Sequence, residues 1–146
     1  MIAMDLAREL KVVGLPWRPR RGDLAMDRLN DLFVVLRDGP DDAGGVEIDT
    51  GHGWEHKHYL MLTWIPRLDQ LLAFLARYGS CDLSVRPAGA ERKDVRWELV
   101  IRSRSGGAED EPRRFQATDA ADAAGQALHY LLAAAGWRPG PALAGL

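Results

Sequence analysis

The sequence predicts an α+β fold, a layered α/β sandwich in which helices pack on an antiparallel sheet. Leucines at positions 68, 71, 72 and 75 have the i, i+3, i+4, i+7 spacing of a helix that lies on a core. Residues 81–86 and 95–102 alternate apolar and polar side chains, as strands with one buried face do. An alanine-rich segment then runs to Gly136, a residue type common at helix ends. We expect helices at 3–13, 67–78 and 119–135.

Length and composition indicate one ordinary globular domain. The chain has 146 residues, of which 47% are apolar and 27% are charged, and this usage argues against disorder. We expect the domain to span residues 1–140, followed by a C-terminal tail at 141–146. The net charge of −2 gives no general electrostatic reason to bind nucleic acid or a membrane.

The cysteine count and the N-terminal segment indicate the compartment. Cys81 is the only cysteine, so neither an intramolecular disulfide nor a thiolate zinc cluster can form. The first apolar segment is interrupted by the charged residues Asp5, Arg8, Glu9 and Lys11, so it is typical of neither a secretion signal nor a membrane span. We therefore expect a cytoplasmic protein without a membrane partner.

The front half is less regular than the back half. A short amphipathic helix is predicted to end near Val13, because Gly14 and Pro16 follow it. Residues 23–37 suit either a helix whose apolar residues do not share one face, or a β-hairpin. The β-branched pair Val34-Val35 and the turn residues Asn30-Asp31 favour the hairpin.

Two further segments lead to the back half. Residues 38–53 contain five glycines and several acids, which predicts a long and mobile connection. Residues 58–63 are apolar enough for a strand that ends at the bend Trp64-Ile65-Pro66.

The back half is predicted to close with a third strand and a capped helix. Residues 87–94 suit a hairpin loop between the two alternating strands, and Arg113–Ala117 suits a third strand. Thr118 is the predicted N-cap of the last helix. Trp137, which follows Gly136, is expected to fold back on that helix.

Three segments carry a family resemblance. They are Thr-Trp-Ile-Pro-Arg-Leu-Asp-Gln-Leu-Leu from Thr63, Trp-Glu-Leu-Val-Ile from Trp97, and Phe-Gln-Ala-Thr-Asp-Ala-Ala-Asp-Ala-Ala-Gly-Gln-Ala-Leu from Phe115. In these segments the chain resembles small phage and prophage proteins of the phage ABA-sandwich type. The resemblance covers residues 63–136 and rests on packing residues. It implies helices and sheet in layers, and it assigns no catalytic residues.

A histidine-rich segment offers possible metal ligands. His52, His56 and His58 fall within seven residues, beside Asp49, and imidazole and carboxylate groups bind zinc, nickel or copper. His52 to His56 also matches the His-x-x-Glu-His pattern of inverted zinc proteases, which works only on a helix. The alternative is that these are surface histidines on a loop entering a strand, with Trp54 and Tyr59 packed beneath them.

Two other groups of residues suggest chemistry. Trp17, Arg18, Arg20 and Arg21 form a basic and aromatic cluster that could contact phosphates or stack a base, or could be a solvated loop. Cys81 would need a depressed pKa and a partner imidazole to act as a nucleophile. Its position on the inward phase of a predicted strand favours a core residue.

These observations favour a binding function over catalysis. We expect a non-catalytic partner-binding module of phage or mobile-element type, with a protein partner or a second copy of itself. The first alternative is a metal-binding protein, which could be a hydrolase, using zinc at the histidines. The second is a nucleic-acid-binding protein that uses the Trp17–Arg21 loop.

Overall fold

The computed structural model describes residues 1–87, 95–104 and 111–139. Over these ranges the chain forms three α-helices and eight strands, and the strands make two antiparallel sheets. The helices are α1 (Met4–Val12), α2 (Leu68–Tyr78) and α3 (Ala120–Ala133). The predicted α+β fold is confirmed. The expected tail at 141–146 and most of the expected loop at 87–94 lie outside the described residues.

The front half forms a five-stranded sheet. Its strands are β1 (Leu24–Met26), β2 (Leu32–Val35), β3 (Gly45–Asp49), β4 (Trp54–His58) and β5 (Thr63–Ile65), in the order β4-β3-β2-β1-β5. The hairpin predicted within residues 23–37 is confirmed by the pairing of β1 with β2. Asp27 shapes its turn, because Asp27 Oδ1 accepts hydrogen bonds from the backbone N–H groups of Leu29 and Asp31.

The predicted mobile connection at 38–53 is wrong, since it contains β3 and the start of a tight hairpin. Its first part is held by Asp41, whose Oδ1 accepts from the backbone N–H groups of Ala43 and Gly45 at 3.0 and 2.7 Å. Val46 and Ile48 of β3 are buried against β2 and β4. Glycine content suggested a loop, but tertiary burial of these two side chains stabilises a strand.

The predicted strand at 58–63 is also wrong. The chain ends β4 at His58, makes a 3₁₀ turn at Tyr59–Met61, and starts β5 at Thr63. A flat sheet of five strands would separate its outer strands by about 19 Å, which the four-residue link at 59–62, with its 3₁₀ turn, does not span. The sheet is therefore curled into a partly open barrel.

The interior of this barrel is a small apolar cluster. It contains Ala25, Phe33, Val35, Val46, Ile48 and Leu62. Trp17 and Tyr59 pack against it from the side. The link between β4 and β5 therefore places Tyr59 and Leu62 at the barrel core.

The back half forms a three-stranded sheet covered on one face by helices. Its strands are β6 (Gly79–Pro87), β7 (Val95–Ser103) and β8 (Arg113–Ala117), in that order. Leu83, Leu99 and Phe115 lie opposite one another in this sheet and pack toward the larger core, which also contains residues of α1, α2 and α3.

The last helix begins at Ala120, one residue later than predicted. Asp119, and not Thr118, is the N-cap, because its carboxylate accepts from the backbone N–H groups of Ala121 and Asp122. At the other end Gly136 has a φ of 66°, and Trp137 donates its backbone N–H to the carbonyl of Leu131. The prediction that Trp137 folds back on α3 is confirmed.

Candidate functional site

An open cleft lies between α1 and the 3₁₀ turn of the barrel, and we call it the indole cleft. Its volume is about 370 Å³, which is within the range of small-molecule sites. The walls come from α1, the loop after it, the 3₁₀ turn and β5. The lining residues are Ala7, Lys11, Leu15, Pro16, Trp17, Tyr59, Leu60, Leu62 and Trp64.

Two parallel tryptophan rings form the aromatic part of the cleft. The ring centroids of Trp17 and Trp64 are 6.3 Å apart with an interplanar angle of 7°. Trp64 also packs edge-to-face on Phe74 of α2, at 6.1 Å between centroids. Because Trp64 lies on β5 and is 9% exposed, its position is set by the larger core.

The indole nitrogen of Trp64 is a buried donor without an acceptor. Within the described residues, Trp64 Nε1 is the one buried side-chain nitrogen or oxygen that has no hydrogen-bond partner. Burying such a donor unpaired costs about 1–3 kcal/mol. Buried side-chain donors without a partner are uncommon in native structures.

Trp17 is held in the cleft wall by a buried carboxylate. Its Nε1 donates to Asp23 Oδ2 at 3.0 Å, and Asp23 is 3% exposed. The same oxygen accepts from the backbone N–H of Arg20, and Asp23 Oδ1 accepts from Gln70 Nε2 of α2 at 2.9 Å. Arg67 adds an ion pair at 3.7 Å. This network fixes the Trp17 ring and leaves Trp17 Nε1 fully engaged.

Among the described residues that line the cleft, Lys11 is the one with a formal charge. It lies one helical turn after Ala7, on the same side of α1. Its Nζ donates to the carbonyl oxygens of Leu60 and Leu62, each at 2.8 Å. An ammonium has three N–H donors, so one remains for a ligand. Partial burial lowers the pKa of Lys11 from its ordinary value.

The histidine segment lies elsewhere, on the outer strand β4 and the turn before it. His56 and His58 are two residues apart on this strand and share a face, as predicted for an extended segment. His56 packs edge-to-face on Trp54, at 5.5 Å between centroids. His58 accepts the backbone N–H of Leu60 through Nδ1 at 3.2 Å and stacks on Tyr59.

The other two predicted ligands are at the turn between β3 and β4. Asp49 Oδ1 accepts the backbone N–H of Gly51 at 2.8 Å, and His52 is exposed in the turn. Among the described residues, no three His, Cys, Asp or Glu side chains are placed to hold a metal ion. The metal site stays a prediction, to which this arrangement adds no support.

The helix that the zinc-protease pattern needs is not formed. Trp54, Glu55 and His56 lie in β4, where successive side chains point to opposite faces. Of the two aromatic residues expected to pack beneath the histidines, Tyr59 packs against the barrel core, as expected. Trp54 instead is 62% exposed, so that part of the expectation is wrong.

The basic and aromatic cluster of the Trp17–Arg21 loop is divided by the fold. Trp17 points into the cleft, while Arg18 and Arg21 are exposed and Arg20 is half-buried. The Arg21 backbone N–H donates to Asp38 at 2.9 Å. Stacking of a base on Trp17 would require access through the indole cleft. The nucleic-acid function of this loop stays a prediction.

Cys81 is half-buried on the inward face of β6, opposite Ile101. Burial, with a smaller contribution from Asp82, raises the pKa of its thiol. A raised pKa keeps the thiol protonated and favours the role of an apolar residue over that of a nucleophile.

Sequence reasoning missed Lys11, Tyr59 and Trp64 as members of one site. Tyr59 and Trp64 follow Lys11 by 48 and 53 positions in the chain, and the three residues belong to three different elements. No local spacing in the sequence therefore connects them. The sequence does show a tryptophan at the Trp64-Ile65-Pro66 bend and a lysine on the polar side of α1. Nothing in the sequence indicates that these two residues are neighbours, because only the fold brings them together.

No helix among residues 1–87, 95–104 and 111–139 is long and apolar enough to cross a membrane. Comparisons with protein-family models, curated proteins and solved structures gave no match to this chain.

Proposed function

We propose that this chain is a non-catalytic binding module and that the indole cleft holds an apolar group of its partner. The observation that carries the proposal is an open cleft of about 370 Å³ whose walls include the parallel rings of Trp17 and Trp64. Binding sites combine mostly apolar walls with a few polar groups that orient the ligand. Lys11 supplies such a polar group, and the remaining walls are apolar except for the hydroxyl of Tyr59.

Rigid walls support binding over catalysis. Trp17 is fixed by Asp23, and Trp64 by Phe74 and the core around it. Walls that are already in place reduce the ordering that a ligand must impose, which favours affinity. The titratable residues at the cleft are Lys11 and Tyr59. We assign Lys11 an orienting role, because its ammonium already donates to two carbonyls.

The test uses the neutral probe phenylacetamide and the indole N–H signals of the five tryptophans in a nitrogen-proton NMR spectrum. We expect saturable shifts of the Trp17 and Trp64 signals, while the signals of Trp54 and Trp97 stay in place. Ala7→Leu fills the cleft wall and should weaken the response. Ala76→Leu, at an exposed position of α2, is the matched control. Equal small shifts of all five signals would exclude the cleft as a site.

A second candidate function is self-association through β4. This strand is an outer strand of the described sheet, so one of its edges carries free backbone groups. Two copies of one strand can pair antiparallel about a two-fold axis, which suits a symmetric dimer. Trp54 at 62% and Val34 at 43% exposure lie in one row on the outer face, with Asp49 between them.

Self-association through β4 is tested by measuring the molecular mass of the protein in solution. Sedimentation equilibrium should show a dimer whose dissociation constant rises on Trp54→Ser and stays unchanged on Val12→Ser, since Val12 is 86% exposed on α1. A monomer at all concentrations would remove this candidate and leave the cleft proposal intact.

We further propose a cytoplasmic location and, on the resemblance of residues 63–136 alone, an origin in a phage or mobile element.

A further inference from the structure

The outer face of the three-stranded sheet is basic, and we call it the arginine face. Leu83, Leu99 and Phe115 pack toward the core, so their neighbours along each strand point to the opposite side of the sheet. Among the described residues, the side chains on that side are Ser80, Asp82, Ser84 and Arg86 of β6, Arg96, Glu98, Val100 and Arg102 of β7, and Arg114 and Gln116 of β8. All of them are exposed except Glu98 and Val100.

The arginine face is positive although the whole chain is not. It carries four arginines against the two acids Asp82 and Glu98, whereas the chain has a net charge of −2. A local patch of one sign attracts a partner of the opposite sign even when the protein as a whole is slightly acidic. The charge of this face therefore favours an anionic partner.

Glu98 holds two of the four arginines in place. It is 4% exposed, accepts a hydrogen bond from Arg114 Nη1 at 2.8 Å, and forms an ion pair with Arg86 Nη2 at 3.6 Å. Gln116 donates a further hydrogen bond to this carboxylate at 2.9 Å. A guanidinium has five N–H donors, so both arginines retain donors for a partner. Groups that are already fixed need less ordering when a partner binds.

The other two arginines have no acid partner. Within residues 1–87, 95–104 and 111–139, neither Arg96 nor Arg102 forms an ion pair. Arg96 also lies directly opposite Arg86 on the neighbouring strand. Like charges that face each other across two strands destabilise a sheet. An anion bound over this pair offsets the repulsion and supplies acceptors.

The residues of the arginine face suit a nucleic-acid duplex. Proteins that bind single strands combine basic residues with aromatic rings on which bases stack. The described residues of this face include no aromatic side chain, since Trp97 and Phe115 pack toward the core. A DNA duplex keeps its bases stacked inside and presents one negative charge per about 1.7 Å of its axis. Guanidinium groups bind phosphates with two parallel hydrogen bonds.

The size of the sheet fits several phosphates. Strands β6 and β7 have nine residues each, which corresponds to a length of about 30 Å. Arg96 and Arg102 lie six positions apart on β7, about 20 Å along the strand. A duplex lying on this face therefore contacts the protein at more than one phosphate.

We infer that the arginine face binds the phosphate backbone of double-stranded DNA without sequence preference. Arg96 and Arg102 contact phosphates directly, and Arg86 and Arg114 add donors from either side of Glu98. This inference goes beyond the proposed function, because it concerns a different surface and a different kind of partner from those of the indole cleft.

The test measures the fluorescence anisotropy of a labelled DNA duplex of mixed sequence at low salt. We expect saturable binding with a dissociation constant of about 10⁻⁶–10⁻⁴ M, the range of non-specific binding. The logarithm of the affinity should fall linearly with the logarithm of the salt concentration, by about 0.9 per phosphate contact. A duplex of unrelated sequence should bind equally. No binding at low salt overturns the inference.

Two double variants with the same change in net charge locate the binding surface. Arg96→Gln with Arg102→Gln should weaken binding about tenfold, since exposed ion pairs are individually weak, and should reduce the salt slope by about 2. Arg18→Gln with Arg21→Gln, at exposed positions of the Trp17–Arg21 loop, is the matched control and should leave binding nearly unchanged. If only the loop variant weakens binding, the loop and not the arginine face holds the DNA.

Two competitors test the class of the partner. A single strand should displace the labelled duplex less well than an unlabelled duplex does, because the arginine face offers no stacking. An oligoglutamate peptide of equal charge should also compete less well, because its carboxylates are spaced differently from phosphates. Equal or better competition by the single strand or by the peptide overturns the assignment of a duplex partner.

Discussion

Gln70 of α2 donates a hydrogen bond from Nε2 to Oδ1 of Asp23 at 2.9 Å, across 47 positions of the chain. The bond joins the back half of the protein to the loop that carries Trp17. Asp23 thereby couples the start of α2 to the wall of the indole cleft, and the stability of the fold and the shape of the site depend on the same carboxylate.

Removing the Asp23 carboxylate should destabilise the protein and loosen the cleft. Asp23→Ala leaves three donors without their acceptor, namely Trp17 Nε1, the Arg20 N–H and Gln70 Nε2. We expect a loss of about 3 kcal/mol in the free energy of unfolding, measured by urea denaturation. The matched control is Asp42→Ala at an exposed loop position, with an expected change below about 0.5 kcal/mol. Similar values for the two variants would contradict a structural role for Asp23.

Gly79 should be intolerant even of alanine. It connects α2 directly to β6, and a Cβ placed there would overlap the backbone carbonyl oxygen of Arg102 on β7. Its φ of −179° is ordinary extended backbone, so the constraint is steric. Gly79→Ala should cost about 3 kcal/mol of unfolding free energy, since backbone atoms of a paired strand yield little.

The neighbouring Ser80→Ala, at an exposed site, is the control for Gly79. Thermal unfolding followed by circular dichroism measures both variants. Indistinguishable melting temperatures would show that β7 can move aside.

Gly125 should mark the close approach of α1 to α3. A Cβ at this position would lie 2.7 Å from Ile2 Cδ1 and 2.9 Å from Leu6 Cδ2. Gly125→Val should therefore destabilise the protein by about 1–3 kcal/mol, because the packed side chains of Ile2 and Leu6 must move out of their places. Ala133→Val, at an exposed position near the end of α3, controls for the lower helix propensity of valine. Denaturation of both variants in urea gives the comparison, and an equal effect would exclude tight packing at Gly125.

Glu98 should contribute to the acid sensitivity of the protein. Hydrogen bonds from Gln116 and Arg114, at 2.9 and 2.8 Å, and the charges of Arg86 and Arg114 hold the pKa of Glu98 below its ordinary value. The unfolded chain therefore takes up this proton at a higher pH than the folded protein. The stabilisation is complete at neutral pH and is lost as the pH falls from the ordinary carboxyl range through the folded pKa.

Glu98→Gln tests this linkage. The variant should be less stable than the native protein at pH 7 and should lose less stability on acidification, as measured by urea denaturation between pH 7 and pH 3. Glu111→Gln, at an exposed position before β8, is the control. A parallel decline of the native protein and the Glu98 variant would show that other carboxyl groups set the acid sensitivity.

The sequence alone determined helix α2, the β1–β2 hairpin and the strands β6 and β7. The leucine spacing of α2, the alternation of β6 and β7, and the turn residues between β1 and β2 are local patterns, and each formed as predicted. Such patterns work because burial of one face imposes the period of the element on neighbouring residues. The fold class followed from them.

Only the tertiary structure decided the elements and sites that depend on contacts between residues distant in sequence. β3 formed in a glycine-rich segment because the barrel core buries Val46 and Ile48. The indole cleft formed because the link from β4 to β5 brings Tyr59 and Leu62 beside Lys11 and Trp17. Contacts of this kind depend on how the curled sheet closes against α1, and that closure has no periodic signature in the chain.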